Sequence, residues 1–435
     1  MSSIHKIAVI GIGYVGLPNA VIFASKGFSV IGVDKDESKV NAVNKGVCYI
    51  RERDIDAMLR DVVSRGLLEA TVNILRAVEE SDAVIVTVNT PVKGGVVDLS
   101  QFVSALESIR RGLRREHLVI VESTVPPGTT GGLARRILEA SGLMAEDDFY
   151  LAHVPERIAP GRAIEELLNV PRVVGGVGPR STERAVELYS RVNSRLYPTN
   201  ATTAEFVKLI ENAYRDLNIA FANLIALMAE RLDIDAYEAI SLANTHPRVS
   251  IHRPGAGVGG PCLTKDPYML ASIMPDFWGT ELIRLARRIN EYMPLHVVEL
   301  VERAIADSRL DPRTAKVAVL GAAYKGGVDD TRESPAKYIV QRLLEKRLSV
   351  VVYDPYTEES FGAARAGSVE EVFEGADVVV IVTDHPEFKN LDIGGLGRLM
   401  RSKVIVDGKR VVDPYVAYRE GFKYYGVGFG RAFNL

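Results

Sequence analysis

A cysteine in a glycine-rich segment has the surroundings that best suit covalent chemistry in this sequence. Cys262 follows the segment GAGVGGP at 255–261 and is soon followed by Lys265 and Asp266. Glycines let backbone amides approach a ligand closely, and a neighbouring cation favours the thiolate, which is the nucleophilic form. Cys48, the other cysteine, lacks this setting, and we interpret it as a small buried apolar residue. Cys262 is therefore the predicted nucleophile.

A lysine and an asparagine with helical spacing are the next candidates. Lys208 and Asn212 are four residues apart in a stretch without glycine or proline, so they share one face of a predicted helix. The spacing alone favours a solvated polar stripe. Chemistry beside Cys262 would reverse that preference, because a cation and an amide can stabilise a developing oxyanion.

A glycine turn near the N terminus predicts a dinucleotide site. The apolar run Ile7–Ile10 leads into GIGYVG at 11–16 and then into a helical pattern, which is the order that the dinucleotide fingerprint requires. Gly11 permits the tight turn, Gly13 lets a pyrophosphate approach the backbone, and Gly16 lets the helix pack on the strand. The alternative is a glycine turn with no ligand.

An aspartate at the end of the next predicted strand favours NAD over NADP. Asp34 lies about 20 residues beyond the turn, where a carboxylate accepts the ribose hydroxyls and repels a 2′-phosphate. Lys35 and Lys39 are close in sequence and would weaken this preference. The corresponding turn of the second half, GAAYKGG at 321–327, lacks the fingerprint spacing, so we expect one NAD site per chain.

Two stretches of alternating strands and helices predict how these residues are positioned. The alternation indicates two Rossmann-like, doubly wound α/β domains with parallel sheets, joined by one long helix over Ala201–Leu232 and a further helical region. We place the boundaries near residues 200 and 310, which gives domains 1–200, 201–310 and 311–435. The predicted strands are Lys6–Ile10, Ser29–Val33, Ala83–Val88, Leu118–Glu122, Tyr150–His153, Lys316–Leu320, Ser349–Tyr353, Val378–Thr383 and Lys403–Val406.

Composition restricts the class of partner and the compartment. The 435-residue chain has a net charge of −3, which does not indicate a nucleic-acid or membrane surface and leaves a small molecule as the expected partner. Two cysteines cannot form a disulfide framework, which fits the cytoplasm. The apolar N-terminal run is broken by glycines and resembles neither a signal peptide nor a membrane span. The seven histidines are scattered, so we expect no metal.

Eight ordered motifs resemble those of UDP-sugar 6-dehydrogenases. They are GIGYVG, VNTPV, ESTVPPG, VPERIAPG, KLIENAYRDLNIAFAN, HPRV, GVGGPCLTKDPY and AAYKGGVDDTRESP, and together they extend over nearly the whole chain. The resemblance implies an N-terminal NAD domain, a central helical dimerisation and catalytic region, and a C-terminal domain that binds UDP. It also implies a homodimer or higher homo-oligomer, and oxidation of the C6 alcohol to a carboxylate with two NAD.

The same resemblance implies roles for individual residues. Cys262 would be the nucleophile, Lys208 and Asp266 would handle protons and charge, Asn212 would hold the sugar oxygen, Thr124 would position water, and Glu156 would lie near the thioester. Arg248 would reach the substrate of the neighbouring subunit, and Lys325 and Arg332 would hold UDP. The implied cofactor contacts are Gly11, Gly13, Tyr14, Val15, Gly16, Asp34, Thr90, Pro91, Thr124 and Arg332. The implied substrate contacts are Glu156, Arg157, Lys208, Asn212, Arg248, Gly259, Tyr324 and Lys325.

One motif bears on the sugar. PERIAPG at 155–161 has Pro160 where glucose-type enzymes usually have a second glutamate, and this form is similar to dehydrogenases of N-acetylated sugars, particularly UDP-N-acetylmannosamine. UDP-N-acetylglucosamine and UDP-glucose are the alternative substrates. Leu224 and Pro261 depart from residues common in the family, a glutamate and a histidine.

Two other functions remain open. A single-step hydroxyacid dehydrogenase would leave Cys262 without a task, and an NAD-binding sensor would leave it structural.

Overall fold

The computed structural model describes residues 3–52, 54–93, 96–158 and 161–430. The chain divides into two compact units, which are residues 1–211 with 268–275, and residues 212–267 with 276–435. We call them unit 1 and unit 2 and describe each by itself.

Short strands and helices alternate through both units. The strands are β1 (Lys6–Ile10), β2 (Ser29–Val33), β3 (Leu68–Thr71), β4 (Ala83–Val86), β5 (Val92–Lys93), β6 (Val96–Val97), β7 (Leu118–Val121), β8 (Tyr150–His153), β9 (Arg172–Gly176), β10 (Leu196–Asn200), β11 (Lys316–Leu320), β12 (Ser349–Tyr353), β13 (Ala364–Arg365), β14 (Val378–Ile381), β15 (Val404–Asp407) and β16 (Lys423–Gly426). The helices are α1 (Gly16–Ser25), α2 (Glu37–Asn44), α3 (Ile55–Ser64), α4 (Ile74–Glu79), α5 (Ser100–Gly112), α6 (Arg135–Glu139), α7 (Ala163–Asn169), α8 (Pro179–Ser190), α9 (Ala201–Arg231), α10 (Ala236–Ala243), α11 (Asp266–Ala271), α12 (Glu281–Asp307), α13 (Pro335–Glu345), α14 (Val369–Phe373), α15 (Ile393–Leu396) and α16 (Pro414–Arg419).

Unit 1 contains a doubly wound sheet. In the described residues its order is β10-β9-β8-β7-β4-β1-β2-β3. Alternate residues of β1 lie in different cores, since Ile7 and Val9 pack with α1 and α3 whereas Ala8 and Ile10 pack with α4 and α5. Burial on both faces explains why the strands are continuous apolar runs.

The first sheet departs from a purely parallel arrangement at one edge. Strand β9 pairs antiparallel with β8, with His153 opposite Gly175, and β10 runs parallel to β9. Neither strand was in the predicted set, because β10, LYPTN, contains a proline and polar residues and β9, RVVGG, ends in two glycines.

Unit 2 contains the second sheet, in the order β13-β12-β11-β14-β15-β16, with parallel pairing throughout its described strands. Val317 and Val319 face one core of this unit, and Ala318 and Leu320 face the other. The fold class predicted from sequence, two Rossmann-like sheets with a long central helix, is confirmed.

The long helix α9 runs from Ala201 to Arg231, one residue shorter than predicted. The division between the units falls within it, after Glu211. The prediction of three domains with boundaries near 200 and 310 stays a prediction.

Candidate active site

The glycine turn of unit 1 has the three geometries that a dinucleotide turn needs. Gly11 has φ +96°, which favours glycine, and a side chain at Gly16 would place Cβ 1.9 Å from the carbonyl oxygen of Gly11. A Cβ at Gly13 would meet nothing within 4 Å, which leaves room for a phosphate beside the backbone. Tyr14 and Val15 complete the turn before α1. The residues present therefore fit a dinucleotide.

A threonine that sequence reasoning missed holds this turn. Thr87 Oγ1, just beyond β4, donates to the carbonyl oxygen of Ile10 at 3.0 Å or of Gly11 at 2.7 Å. Nearby, Thr90 Oγ1 donates to the backbone oxygen of Thr124 at 2.6 Å, so two predicted site residues are in contact. Pro91 follows directly, before β5.

Asp34 directly follows the neighbouring strand β2. Its carboxylate accepts from the backbone nitrogen of Asp36 at 3.1 Å and lies 3.6 Å from Lys39 Nζ. Lys39 is therefore close enough to offset the repulsion between Asp34 and a 2′-phosphate.

The Asp34 carboxylate should set the cofactor preference. We expect the wild type to use NAD with a kcat/KM at least about tenfold above that for NADP, or roughly 1.4 kcal/mol. Asp34→Ala should raise the use of NADP, because Lys39 would then face the phosphate without its carboxylate partner, whereas exposed Glu37→Ala should leave the ratio unchanged. Equal use of both cofactors by the wild type in steady-state assays would contradict this.

A buried ion pair lies in the same unit. Glu156 Oε2 is 3.8 Å from Lys208 Nζ, and each side chain is 8% exposed. Burial raises the pKa of Glu156 to about 7, against the opposing attraction of Lys208. Glu156 also accepts a hydrogen bond from the backbone nitrogen of Ile158. A carboxyl that titrates near neutral pH is suited to exchange protons at a reaction centre.

A histidine near this pair was not found from the sequence. His153 is fully buried, and within the described residues neither ring nitrogen has a hydrogen-bond partner. Burial, followed by the charge of Lys208, lowers the pKa of His153 to about 3. The imidazole is therefore neutral and adds no charge beside Lys208.

Glu156→Gln should make stability less sensitive to pH. A carboxyl whose pKa rises from 4.5 to about 7 on folding binds more protons in the folded state, so stability falls as pH rises across that interval. The ionisation cost above pH 7 is about 3 kcal/mol before relaxation. We expect the Tm of Glu156→Gln, relative to wild type, to be higher at pH 9 than at pH 5 in thermal melts. A constant difference would show that Glu156 ionises normally.

Arg157 is held by α9. Its Nη2 and Nε donate to Glu211 at 2.5 and 3.2 Å, and its Nη1 donates to the backbone oxygen of Pro171 at 2.6 Å. The guanidinium is thus fixed in orientation next to the motif residue Glu156. Ala159 and Pro160, whose identity bears on the sugar, lie outside the described residues.

In unit 2, three polar side chains meet beside residues 255–263, which contain Cys262 and which we call the cysteine loop. Asp266 is fully buried and accepts from Asn212 Nδ2 at 2.6 Å and from Lys265 Nζ at 2.7 Å. The backbone nitrogen of Asp266 donates to the carbonyl oxygen of Cys262 at 2.9 Å. The structure therefore brings together Cys262, Asp266 and Asn212, and it adds Lys265 to the predicted group.

The glycines of the cysteine loop allow close contact with the segment after β11. A Cβ at Gly260 would lie 2.7 Å from Tyr324 Cε2, and one at Gly259 would lie 2.5 Å from the carbonyl oxygen of Glu333. Burial, then the charges of Asp330 and Cys262, raise the pKa of Tyr324. Tyr324 stays neutral at physiological pH and can act as a hydrogen-bond donor.

The basic residues predicted for UDP lie in this unit as well. The guanidinium of Arg332 donates to the carboxylate of Asp330 at 2.6 to 3.1 Å. The backbone carbonyl oxygen of Arg332 accepts from the backbone nitrogen of Gly260 at 3.1 Å. Lys325 is partly exposed and follows Tyr324, whereas Arg248 is exposed beyond α10.

The glycine turn of the second sheet is occupied by the protein itself. The carboxylate of Asp354, at the end of β12, accepts from the backbone nitrogens of Ala322 and Ala323 at 2.7 and 3.0 Å and from His385 Nε2 at 2.9 Å. The Asp354 carboxylate thus accepts hydrogen bonds from the backbone amides that, in a dinucleotide-binding turn, would bind the pyrophosphate. This geometry agrees with a single dinucleotide turn per chain.

Two other features are absent from the described part of the chain. It contains no group of three His, Cys, Asp or Glu side chains placed to hold a metal ion. Across the same residues, no helix combines the length and apolarity that a membrane crossing requires.

Three domain families match the chain consecutively. Residues 5–193 match the NAD binding domain of the UDP-glucose/GDP-mannose dehydrogenase family, residues 202–292 its central domain and residues 318–414 its UDP binding domain. The chain belongs to this family. The sequence-based prediction of an NAD-dependent UDP-sugar dehydrogenase is confirmed, and the hydroxyacid dehydrogenase and sensor alternatives are set aside.

Individual relatives extend over the full length. The chain is 46% identical to a UDP-N-acetyl-D-mannosamine dehydrogenase of Pyrococcus horikoshii, covering 98% of this chain and 99% of that protein. A solved structure of that enzyme has a TM-score of 0.92 and covers 98% of this chain and 100% of its own. The similarity is 40% to the enzyme of that name from Methanocaldococcus jannaschii, over 98% and 97% of the two chains. A UDP-glucose dehydrogenase from Pyrobaculum islandicum is 32% identical, with a TM-score of 0.88 and 98% of each chain covered.

Proposed function

We propose that this chain oxidises the C6 alcohol of UDP-N-acetyl-D-mannosamine to the carboxylate, consuming two NAD in the cytoplasm. The observation that carries the choice of sugar is the full-length similarity to the Pyrococcus enzyme. The chain is 46% identical to that enzyme and 32% identical to the UDP-glucose dehydrogenase. The PER-x-x-PG form of the motif at 155–161 supports the same sugar.

The first oxidation needs a group that receives the hydroxyl proton and groups that stabilise the oxygen. Bound NAD would supply the hydride acceptor in both oxidations, held by the turn at Gly11–Gly16 and by Asp34. Lys208 stabilises the C6 oxygen, and Asn212 donates a second amide hydrogen to it, since its first is directed to Asp266. Glu156, beside Lys208, exchanges the proton.

The second oxidation is covalent. The Cys262 thiolate attacks the aldehyde carbon, so that a C–S bond forms as the carbonyl π bond breaks, and the oxygen takes up a proton to give a thiohemiacetal. Loss of a hydride from that carbon and of the hydroxyl proton leaves a thioester. Water positioned by Thr124 then adds, the C–S bond breaks, and the acid and the thiol are released. The ion pair of Lys265 with Asp266 stays next to Cys262 during both oxidations.

The UDP group is proposed to contact Lys325, Arg332, Tyr324 and Gly259 in unit 2. Arg157 is proposed to read the sugar substituent, in the orientation that Glu211 imposes. We propose that Arg248, exposed beyond α10, reaches the substrate of a second subunit.

The choice of sugar is tested by measuring NADH release with UDP-N-acetylmannosamine, UDP-N-acetylglucosamine, UDP-N-acetylgalactosamine and UDP-glucose. We expect kcat/KM to be highest for the first by at least about tenfold, the discrimination available from one well-placed polar contact. A higher kcat/KM for UDP-N-acetylglucosamine would move the assignment to the epimer, and one for UDP-glucose would overturn the N-acetyl assignment.

A dimer is proposed from an exposed apolar stripe on α9. Tyr214, Phe221 and Met228 are spaced by seven residues, so they share a helix face, and they are 61%, 48% and 50% exposed. Such a stripe suits pairing with a second copy.

Phe221→Glu should therefore give a monomer in light scattering and lose most activity, because Arg248 would no longer reach a neighbour. Met144→Glu, at a comparably exposed methionine outside α9, should change neither. A wild type that is monomeric and fully active would contradict the proposal.

A further inference from the structure

Four buried polar side chains lie behind the cysteine loop and take no part in the chemistry proposed above. Asp216 and Asn223 come from α9, and Arg287 and Asn290 come from α12. All four belong to unit 2, and each is at most 1% exposed. We call these four residues the polar clamp.

The polar clamp is one connected network. Arg287 Nη1 donates to Asp216 Oδ1 at 2.6 Å, and Asn290 Nδ2 reaches the same oxygen at 2.8 Å and the backbone oxygen of Asp216 at 3.0 Å. Asn223 Nδ2 donates to Asn290 Oδ1 at 2.8 Å. Direct hydrogen bonds therefore connect all four clamp residues.

The network bonds to both ends of the loop that carries the nucleophile. At the start, the backbone nitrogen of Gly255 donates to Asn223 Oδ1 at 2.9 Å. At the end, Arg287 Nη1 donates to the carbonyl oxygen of Leu263, the residue after Cys262, at 3.2 Å. The backbone on either side of the glycines is thus tied to two helices. The glycines between these anchors would otherwise allow the thiol to occupy many positions.

An apolar replacement of the buried ion pair between Asp216 and Arg287 can show whether the polar clamp positions the loop or only stabilises the fold. Replacing a buried pair by apolar residues of similar size is often neutral or stabilising, whereas removing one partner is strongly destabilising. If the polar clamp served only stability, an apolar replacement of Asp216 and Arg287 together would leave both the Tm and the activity unchanged.

We propose that the polar clamp positions Cys262 for attack on the aldehyde, acting through the loop backbone, with Arg287 and Asn223 as the positioning residues. The proposal rests on the covalent role of Cys262. It assigns the clamp an effect on kcat and on the reactivity of the thiol, and no effect on substrate affinity.

The test compares Asp216→Leu/Arg287→Met and Asn223→Ala with wild type. Arg288→Met, at an exposed arginine next to Arg287 on α12, is the matched control. The measurements are Tm, kcat, KM for the UDP-sugar, and the iodoacetamide labelling rate of Cys262 in the protein without substrate. Cys48, whose thiol pKa is raised by burial, is the internal reference in the same peptide digest.

We expect the double variant to retain the Tm of wild type while kcat and the labelling rate of Cys262 fall by about tenfold or more, with KM within about twofold. Asn223→Ala should lose kcat and labelling rate in the same way, and it decides the question alone if the double variant does not fold. Wild-type kcat and labelling in a folded clamp variant would overturn the proposal. A wild type in which Cys262 labels no faster than Cys48 would instead count against the covalent function.

Discussion

Cys262→Ser is expected to bind NAD and the UDP-sugar but to lose conversion to the acid by a factor above about 10³, or roughly 4 kcal/mol of barrier. Serine removes both the thiolate nucleophile and the thiolate leaving group, so neither formation nor hydrolysis of the thioester can proceed at the wild-type rate. The measurement is acid formation by chromatography, with binding of NAD and UDP-sugar measured by calorimetry.

Cys48→Ser is the matched control, because Cys48 donates its thiol to the backbone oxygen of Ile50 at 3.1 Å in unit 1 and has no proposed part in the reaction. It should retain activity within about twofold, as expected of a change away from the site. A Cys262→Ser enzyme that forms acid at a rate near that of wild type would refute the thioester.

Lys208→Met should produce the second largest loss, a fall in kcat/KM of about 10²- to 10³-fold. The Lys208 ammonium is nearly buried, so its charge acts on a developing oxyanion with little screening by water. Its removal should also raise the pKa of Glu156, since Lys208 now lowers it, and shift any limb of the pH profile due to Glu156 upward.

Lys337→Met, at an exposed lysine on α13, is the control and should leave both kcat/KM and the pH profile unchanged. The variants are compared by NADH production between pH 5 and pH 9. A Lys208→Met enzyme with the kcat/KM of wild type would remove this lysine from the mechanism.

The elements that could be predicted from sequence are those with a strong local pattern. Strands β1, β2, β8, β11 and β12 have the predicted bounds because each contains a short run of apolar residues. Strands β3 and β16, LEAT and KYYG, were missed because they have no such run.

Site residues could be predicted where a motif fixes their spacing. Gly11–Gly16 and the segment around Cys262 are local signals, and the structure gives them the conformations that their glycines suggest. Contacts between distant segments have no local signal. Thr87, His153 and the pairing of Asp216 with Arg287 became visible only when the fold brought together residues up to 77 positions apart.

The second glycine turn illustrates the same limit. The sequence indicated that GAAYKGG lacks the fingerprint spacing, but not what replaces a phosphate there. The reason lies in Asp354, whose position at the end of β12 matches that of Asp34 at the end of β2. Asp354 turns inward to the amides of Ala322 and Ala323, whereas Asp34 bonds to Asp36.

The ratio of NADH formed to UDP-N-acetylmannosamine consumed tests the covalent four-electron oxidation most directly. The measurement uses limiting sugar and excess NAD, with an aldehyde-trapping reagent present to detect released intermediate. A thioester on Cys262 predicts two NADH per sugar, a uronate product and no trapped aldehyde. One NADH per sugar, with aldehyde as the accumulated product, would contradict it.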